Sequence, residues 1–409
     1  MTIAARSAAA RRAALLAQLD GGLLLARGQA PGGPSANFAY LTGIEEPRAA
    51  LLLAHDGVRI MTGRNHPGPD YVRGKVARQV LFLPAPDALA SRWGEDAAAT
   101  TASVTAAAAG VDAVLPVAQL APLLEQALPQ HGRLHYVRAA PASLAAAADP
   151  DAEFVAQIRR SFFAVELRDA TPAVHELRRI KDAGEIERIE RAAAVTAEAF
   201  ERLLASPLAG RREHEIEAEI ARVYRSRGAT HAFEPIVASG PRAVLLHYTA
   251  NRGTTAAEEV LLVDTGARLD GYCSDVTRCL PVGGRFTARQ REVYDAVLRA
   301  EREAIALCRP GTSISEIHAR TWEVIHAAGF GERFIHGTSH HLGMETHDVG
   351  DVHRPLEAGC VITIEPGIYL PDEGLGVRIE DDVLVTERGP RVLTAAIPVE
   401  AGEIERRSA

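Results

Sequence analysis

The sequence has few lysines, cysteines and aromatic residues, and each shortage limits what the protein can be. Its basic residues are almost all arginine, with Lys75 and Lys181 as the lysines, and the net charge at pH 7 is −8. Nucleic acid and anionic membranes attract basic surfaces, so we expect neither as a partner. The four cysteines lack close metal-type spacing and are too few for a disulfide framework in 409 residues. A reducing, cytoplasmic location is therefore expected.

Long apolar runs are missing as well. The longest, such as Ala49–Ala54, fall far short of the ~20 residues that span a bilayer. The Arg- and Ala-rich start has neither the continuous apolar core nor the small-residue cleavage site of a targeting signal, so it predicts an ordinary first helix. A content of 47% hydrophobic residues is typical of a globular protein that buries hydrophobic cores.

The chain is long enough for two domains, and its pattern changes near Pro172. Up to that point, helix-like runs alternate with short β-like runs, which indicates an α/β domain. The helix-like runs are Arg11–Leu19 and Ala118–Ala127, and the β-like runs are Ala49–Ala54, Val80–Leu83 and Leu134–Val137. We predict an N-terminal domain over residues 1–172 and a second domain over residues 173–409.

The second domain shows the same order of elements twice. The charged stretch from Leu177 to Phe200 has helical spacing at Ile186, Ile189, Ala193 and Thr196-Ala197, which predicts one amphipathic helix. The other predicted elements are a helix at 213–227 and strands to Leu280, then helices at 288–308 and 315–328 and strands to Val385. The repeat predicts an α+β domain with a weak internal duplication.

Two acidic residues lie in neighbouring β-like runs of the first repeat. Asp264 ends the apolar run that starts at Val260, and Asp275 lies in the next run. Turn residues from Arg268 to Gly271 separate the two runs. A hairpin can therefore bring both carboxylates together.

Three more candidate ligands lie in the second repeat. Glu365 follows one β-like run, Glu380 ends another, and His340 lies in the irregular polar stretch HGTSHHLGMETHDVG. A buried, charged and unpaired carboxylate costs several kcal/mol, since even a neutral polar group costs roughly 2–7 kcal/mol. Four such carboxylates need cations. With one imidazole they form an oxygen-rich shell that suits manganese better than a structural zinc site.

The strings that carry these residues resemble one family. VDTG, CSDVTR, HGTSHHLG, ITIEPGIY and GVRIEDDVLVT follow the order found in metallopeptidases with the pita-bread (creatinase/aminopeptidase) fold, such as aminopeptidase P, prolidase and methionine aminopeptidase. This resemblance covers about residues 175–400. Residues 38–53, FAYLTGIEEPRAALLL, are similar to the N-terminal domain of aminopeptidase P and prolidase, which methionine aminopeptidase lacks.

The resemblance implies a site with two divalent metal ions, with Mn²⁺ as first choice and Co²⁺ or Zn²⁺ as alternatives. It implies that Asp275 and Glu380 bridge both ions, that Asp264 binds one, and that His340 and Glu365 bind the other. Two such ions lower the pKa of a shared water toward neutrality. Glu365 is also the candidate proton shuttle, because a carboxylate beside that water is placed for general-base work.

Five further residues match non-metal positions of the family. Hydrolysis before proline is demanding because the leaving nitrogen of the tertiary amide must gain a proton. His247 and His347 are candidates for polarising the carbonyl, stabilising the oxyanion or donating that proton, and the sequence does not divide these roles between them. Arg378 is expected to orient a carboxylate or the substrate. His336 and Tyr369 are expected to shape a ring-sized substrate pocket.

Other polar residues close to the candidate ligands match no ligand position. These are His341, His353, Asp381 and Asp382, with Glu345 and Asp348 as similar cases. We expect surface or supporting roles for them, with the histidines exposed and Asp382 paired with an arginine. Cys273 and Cys279 share strand parity with Asp275, and we interpret them as small buried hydrophobic residues.

The sequence thus predicts a manganese-type Xaa-Pro aminopeptidase that acts on peptides with proline at the second position, as a homodimer or homotetramer by resemblance. An Xaa-Pro dipeptidase (prolidase) has the same chemistry, and the motif strings do not separate the two. The interval from Glu365 to Glu380 is short, whereas several aminopeptidase P relatives have long loops there.

Creatinase works without metal, and a non-catalytic peptide- or protein-binding module would have lost ligands. The complete ligand set argues against both.

Overall fold

The structure is a computed structural model that describes residues 3–30, 33–60, 74–85, 104–139 and 150–408. The chain divides into two compact units, residues 1–177 and 178–409. None of the helices in these described ranges is long and apolar enough to cross a bilayer.

A six-stranded mixed sheet forms the centre of the first unit. Its strands are β1 (Leu23–Arg27), β4 (Ala50–Ile60), β5 (Lys75–Leu83), β6 (Ala113–Pro116), β7 (Arg133–Val137) and β8 (Glu166–Asp169), and the short β2 (Gln29–Ala30) and β3 (Gly33–Pro34) form a separate ribbon. The order is β6-β5-β4-β1-β7-β8. Strand β4 is antiparallel to both neighbours, and the other pairs are parallel.

Helices accompany this sheet, so the α/β prediction is confirmed. They are α1 (Ile3–Gln18), α2 (Ala36–Thr42), α3 (Ala106–Ala109), α4 (Leu120–His131) and α5 (Pro150–Ser161). Helix α2 begins at Ser35, whose hydroxyl accepts the Phe38 N–H, and ends at Gly43 in the left-handed conformation. Leu25, Leu52 and Phe82 are fully buried in the core of the unit.

Helix α6 (Thr171–Arg179) contains the division between the units, and the helices that follow it belong to the second unit. They are α7 (Ala183–Leu204), α8 (Glu213–Ser226), α9 (Ala288–Ala306), α10 (Ile314–Ala327) and α11 (Ala401–Arg407). The single helix predicted from Leu177 is wrong at its start, because Asp182 caps α7. Its carboxylate accepts the Glu185 N–H at 2.9 Å, and the Glu185 carboxylate accepts the Asp182 N–H at 3.0 Å.

Short antiparallel sheets complete the second unit. The strands are β9 (Thr230–His231), β10 (Ile236–Ser239), β11 (Val260–Thr265), β12 (Ala267–Leu269), β13 (Tyr272–Cys273), β14 (Val276–Pro281), β15 (Val361–Ile364), β16 (Gly367–Leu370), β17 (Leu375–Arg378), β18 (Asp381–Thr386) and β19 (Gly389–Val392). They form the sheets β10-β11-β14, β13-β12-β9, β15-β18-β19 and β16-β17. Two helices followed by strands occur twice, which confirms the α+β fold with a duplicated order.

The sheet register places the acidic residues at strand ends. The turn between β12 and β13 contains Asp270 and Gly271 with φ of 50° and 80°, the two left-handed positions of a type I′ turn. Strands β11 and β14 pair with Asp264 opposite Thr277, so Asp275 immediately precedes β14 at the same end of the pair. Apolar side chains back these strands, including the fully buried Val263.

Candidate active site

Asp275, His340 and Glu380 direct their side chains into one small volume. Their candidate ligand atoms all lie within 4.8 Å of one another. His340 Nε2 is 3.5 Å from Asp275 Oδ2. Asp275 and Glu380 are buried, at 4% and 2% exposure. The start of β14, an irregular loop and the segment between β17 and β18 thus converge on one candidate metal centre.

Glu365 and Asp264 adjoin this group. Glu365 Oε1 lies 3.7 Å from His340 Nε2, and its Oε2 lies 3.7 Å from His336 Nδ1. Asp264 Oδ2 accepts a 2.6 Å hydrogen bond from Arg378. The structure therefore brings all five predicted ligands into one neighbourhood.

Burial and mutual repulsion raise the pKa values of these carboxylates. Burial raises the pKa of Asp275 to about 6, with the nearby charge of Asp264 adding to the effect and the hydrogen bond to His340 opposing it. Burial also raises the pKa of Glu365 to about 7. The pKa of Glu380 lies well above its ordinary value through burial and then the charge of Asp275. Carboxylates crowded in this way need a cation to remain ionised together.

Buried carboxylate oxygens that have no hydrogen-bond partner are suitable ligands for divalent metal ions. Asp264 Oδ1 and Asp275 Oδ1 are buried and have no hydrogen-bond partner among the described residues. A buried acceptor without a partner costs about 1–3 kcal/mol, and a bound cation would remove that cost. Four carboxylates and one imidazole are a hard, oxygen-rich donor set of the kind that Mn²⁺ prefers.

Arg378 joins the carboxylates in a chain of hydrogen bonds. Besides Asp264, it donates to the Tyr369 hydroxyl at 2.9 Å through Nη1 and to Thr277 Oγ1 at 3.1 Å through Nε. Thr277 Oγ1 donates to Glu380 Oε2 at 2.7 Å. One buried guanidinium thus orients one carboxylate directly and a second through Thr277. Thr277 is not among the site residues expected from the sequence, although it lies two residues after Asp275 in the chain.

His336 and Tyr369 extend this chain of hydrogen bonds. The Tyr369 hydroxyl lies 2.9 Å from His336 Nε2, and His336 Nδ1 lies 2.7 Å from the Gly337 carbonyl oxygen. Burial, followed by the charge of Arg378, lowers the pKa of His336 to about 4, so the ring is neutral. Its Nδ1–H donates to the carbonyl, and Nε2 accepts from Tyr369. A Cβ at Gly367 would lie 2.5 Å from the tyrosine hydroxyl oxygen, which explains the glycine there.

His247 and His347 are exposed beside this buried cluster. The rings of His347 and His340 lie 4.2 Å apart, centroid to centroid. Burial, then the charges of His340 and His247, lower the pKa of His347 and keep it neutral at neutral pH. His247 also acts electrostatically on His336. Both exposed rings are therefore available to a bound peptide.

The loop around His340 holds that side chain in one orientation. His340 Nδ1 lies 3.0 Å from the carbonyl oxygen of His341, so Nδ1 carries the proton and Nε2 faces the carboxylates. The Asp348 N–H donates to the same carbonyl at 2.8 Å. The Asp348 side chain is 1% exposed and pairs with Arg178 and with Lys181. A buried ion-pair group therefore stabilises the loop.

The expectation that His341 is exposed is wrong. Its side chain is buried because His341 forms an isolated β-bridge with Ile362, which places it under the adjacent strand. His353 is exposed as predicted. Cys273 and Cys279 are buried and free, in agreement with their interpretation as small hydrophobic residues.

The expected pairing of Asp382 with an arginine is also wrong. Asp382 Oδ2 accepts the Asp275 N–H at 3.2 Å, and its neighbour Asp381 forms the ion pair, 2.8 Å from Arg278. Successive residues of a strand face opposite directions, so the arginine reaches only one of the two aspartates. Asp382 instead supports the backbone of a predicted metal ligand.

A buried oxygen-rich centre with two exposed imidazoles beside it has the features of a metal-dependent hydrolase site. Family models agree with this class. The model of metallopeptidase family M24 matches residues 187–387, and the model of the aminopeptidase P N-terminal domain matches residues 33–135.

Curated relatives match across both units. Xaa-Pro aminopeptidase 3 of Homo sapiens is 33% identical over 402 residues, covering 90% of this chain and 75% of the relative. Xaa-Pro aminopeptidase of Escherichia coli is 32% identical over 412 residues, covering 91% and 88%. Xaa-Pro dipeptidase of Pyrococcus furiosus is 37% identical over 234 residues, covering 56% and 67%. The chain belongs to metallopeptidase family M24.

Solved structures have the same fold. Aminopeptidase PepP of Pseudomonas aeruginosa aligns with a TM-score of 0.83 and 30% identity, covering 98% of this chain and 97% of the other. Aminopeptidase P from Escherichia coli with the inhibitor Pro-Leu aligns with a TM-score of 0.82 and 30% identity, covering 100% and 98%. The predicted pita-bread fold with an N-terminal domain is confirmed, as is the class of peptide-bond hydrolase.

Proposed function

We propose that this protein is an Xaa-Pro aminopeptidase, which hydrolyses the bond between an N-terminal residue and a following proline. The observation that carries the proposal is the convergence of the five candidate ligands beside two exposed histidines. It is supported by relatives named Xaa-Pro aminopeptidase that match over about nine-tenths of the chain.

Two divalent ions, Mn²⁺ by first choice and Co²⁺ or Zn²⁺ as alternatives, would be held by the five ligands. Asp275 and Glu380 are assigned to both ions, Asp264 to one, and His340 with Glu365 to the other. The chemistry that such ions supply is water activation at neutral pH and polarisation of the peptide carbonyl. The crowded carboxylates and the unpartnered oxygens of Asp264 and Asp275 support this assignment.

The remaining site residues are assigned to substrate and proton handling. Glu365 accepts the proton of the attacking water and returns it toward the prolyl nitrogen, which has no hydrogen of its own. His247 and His347 present ring N–H groups to the carbonyl oxygen as it gains negative charge. His336 and Tyr369 border the space for the proline ring. His336 Nδ1 lies 3.7 Å from Glu365 Oε2, and His336 Nε2 lies 2.9 Å from the Tyr369 hydroxyl, which supports this placement.

Several wider assignments belong to the same proposal. The predicted domains, residues 1–172 and 173–409, are assigned an accessory and a catalytic role, supported by the two family models. Free, buried cysteines support a cytoplasmic location. A homodimer or homotetramer is proposed from the family resemblance, and light scattering of the purified protein tests it.

An Xaa-Pro dipeptidase is the second candidate. The Pyrococcus furiosus dipeptidase is 37% identical to this chain over the part that it matches, which is a higher identity than that of the two aminopeptidases described above. That part, however, is 56% of this chain. The aminopeptidase relatives also match the first unit, which favours the aminopeptidase.

Peptide length separates the two candidates. The purified protein is incubated with Mn²⁺ and an Xaa-Pro dipeptide, an Xaa-Pro-Yaa tripeptide or a longer Xaa-Pro peptide, with alanine replacing proline as the matched control. We expect release of the first residue from the tripeptide and the longer peptide, and none from the alanine controls. Cleavage of the dipeptide alone would identify a dipeptidase. A protein that binds no transition metal and cleaves none of these peptides would be a binding module.

A further inference from the structure

The exposed His247 lies on a loop, residues 239–253, that begins and ends at one buried carboxylate. Glu213, the first residue of α8, is 0% exposed. Its Oε1 accepts the Ser239 N–H at 3.0 Å, and its Oε2 accepts the Gly253 N–H at 2.6 Å. The two ends of the loop are thus held by the two oxygens of a single side chain.

Two side chains within the loop bind the same carboxylate. Arg242 Nε donates to Glu213 Oε1 at 2.5 Å, and the Tyr248 hydroxyl donates to Oε2 at 2.9 Å. Tyr248 directly follows His247 in the sequence. Each carboxylate oxygen therefore accepts two hydrogen bonds, and all four donors belong to the loop.

The backbone at the end of the loop matches this arrangement. The Glu213 N–H donates to the Gly253 carbonyl oxygen at 3.0 Å, and Arg212 forms a β-bridge with Thr254. A Cβ at Gly253 would lie 2.1 Å from Arg242 Nε, so a glycine there allows the guanidinium to lie against the backbone. The close approach of Arg242 to the carboxylate depends on that glycine.

Charge explains why this position holds an acid. An ionised carboxylate buried without partners is costly, but here it has the Arg242 guanidinium and the first turn of α8, where the helix dipole favours negative charge. Hydrogen bonds to an ionised acceptor are about twice as strong as neutral ones. A glutamine would offer one acceptor oxygen and would turn an N–H group toward two other donors.

We propose that Glu213 is a positioning residue, which fixes the path of loop 239–253 and thereby the place of the His247 imidazole beside His336 and His347. Glu213 acts through His247. None of the four hydrogen bonds described above joins Glu213 to a predicted metal ligand. The inference rests on the proposed function, because it requires that His247 acts on the substrate.

A double-mutant cycle tests the inference on the Mn²⁺-loaded full chain with an Xaa-Pro-Yaa tripeptide. We expect Glu213→Gln to lower kcat about 10–100-fold, the loss typical of a group that orients a functional residue, with an unchanged Mn²⁺ content. In a His247→Ala background, Glu213→Gln should cause no further loss, because the group that it positions is gone. Glu215→Gln is the matched control. This exposed acid on the same helix turn accepts the Arg212 N–H and should keep wild-type kinetics.

Other results of the cycle overturn the inference. Equal losses from Glu213→Gln in both backgrounds would show a general structural effect, and no loss in the wild-type background would show that the carboxylate is dispensable. Full activity of His247→Ala would remove the proposed role of His247 and the inference with it. If Glu213→Gln does not fold, Tyr248→Phe, which removes one of the four donors, should give a few-fold loss of kcat that disappears without His247.

A wild-type protein that cleaves no Xaa-Pro peptide would contradict the proposed function. The anchoring of loop 239–253 by Glu213 can then be tested by hydrogen exchange. Glu213→Gln should speed amide exchange across residues 239–253, and Glu215→Gln should not. Unchanged exchange in that loop would overturn the positioning role independently of any activity.

Discussion

The carboxylates of the site and its two exposed histidines are held in different ways. Asp264, Asp275 and Glu380 are at or beside strand ends with an apolar core behind them, and Arg378 bonds directly to neighbouring side chains. His247 and His347 lie on loops, and in each case the next residue is anchored: Tyr248 bonds to Glu213, and Asp348 pairs with Arg178. Groups that bind ions can be buried, but groups that meet a peptide must stay exposed. The positions of the two exposed histidines therefore depend on buried residues that hold their loops in place.

The largest expected effect comes from the buried carboxylates. Asp275→Ala should lower kcat/KM about a thousandfold or more and reduce bound Mn²⁺, because metal ions supply several kcal/mol of transition-state stabilisation. Steady-state kinetics and metal analysis of the folded variant measure both. Asp295→Ala, on the exposed face of α9, is the control. Full activity of Asp275→Ala would refute its assignment to both ions.

Loss of an exposed histidine should have a smaller effect and a different signature. His347→Ala should lower kcat about 100-fold or more while the protein keeps its Mn²⁺, because one donor to the developing charge is lost. The exposed His353, which bonds to Ser315, provides the control His353→Ala. A loss of metal in His347→Ala would instead place this histidine with the ion-binding groups and weaken the comparison.

Arg378→Lys tests how far the carboxylates depend on their neighbours. Lysine keeps the charge but lacks the planar fork that reaches Asp264, Tyr369 and Thr277. We expect Mn²⁺ affinity to fall about 10–100-fold in titration calorimetry. Arg391→Lys, in an exposed ion pair, should bind metal like the wild type. Equal affinity of Arg378→Lys would show that the strands alone orient the carboxylates.

The smallest effect is expected from Thr277→Val, which preserves shape and removes one hydroxyl. That hydroxyl donates to Glu380, and a hydrogen bond to a charged group contributes about 1.5 kcal/mol at the low end. We therefore expect the Mn²⁺ affinity to fall about tenfold. Thr321→Val, a buried threonine on α10, controls for a general loss of stability. If both variants lower the melting temperature equally without changing affinity, Thr277 has no role in orienting the ligand.

Local patterns predicted much of the fold. Alternating and helical spacing located α8, α9 and α10 closely, because an amphipathic face must meet a core. The error at Leu177 arose because apolar spacing continues across Ile180–Asp182, where the capping box of α7 interrupts the helix. His341 was misjudged because a bridge to Ile362, a partner distant in sequence, determines its burial. Long-range pairing leaves no local signal.

The sequence by itself determined the chemistry: which residues can bind cations, the strand ends that carry them, and the family they define. Only the tertiary structure showed that Arg378 serves Asp264, that Thr277 bonds to Glu380, and that Asp381 rather than Asp382 meets an arginine. Likewise, nothing near Glu213 in the sequence points to His247, yet four hydrogen bonds join Glu213 to the loop that carries His247. Residue type and period are local properties, whereas the partner of a buried charge depends on how distant segments pack.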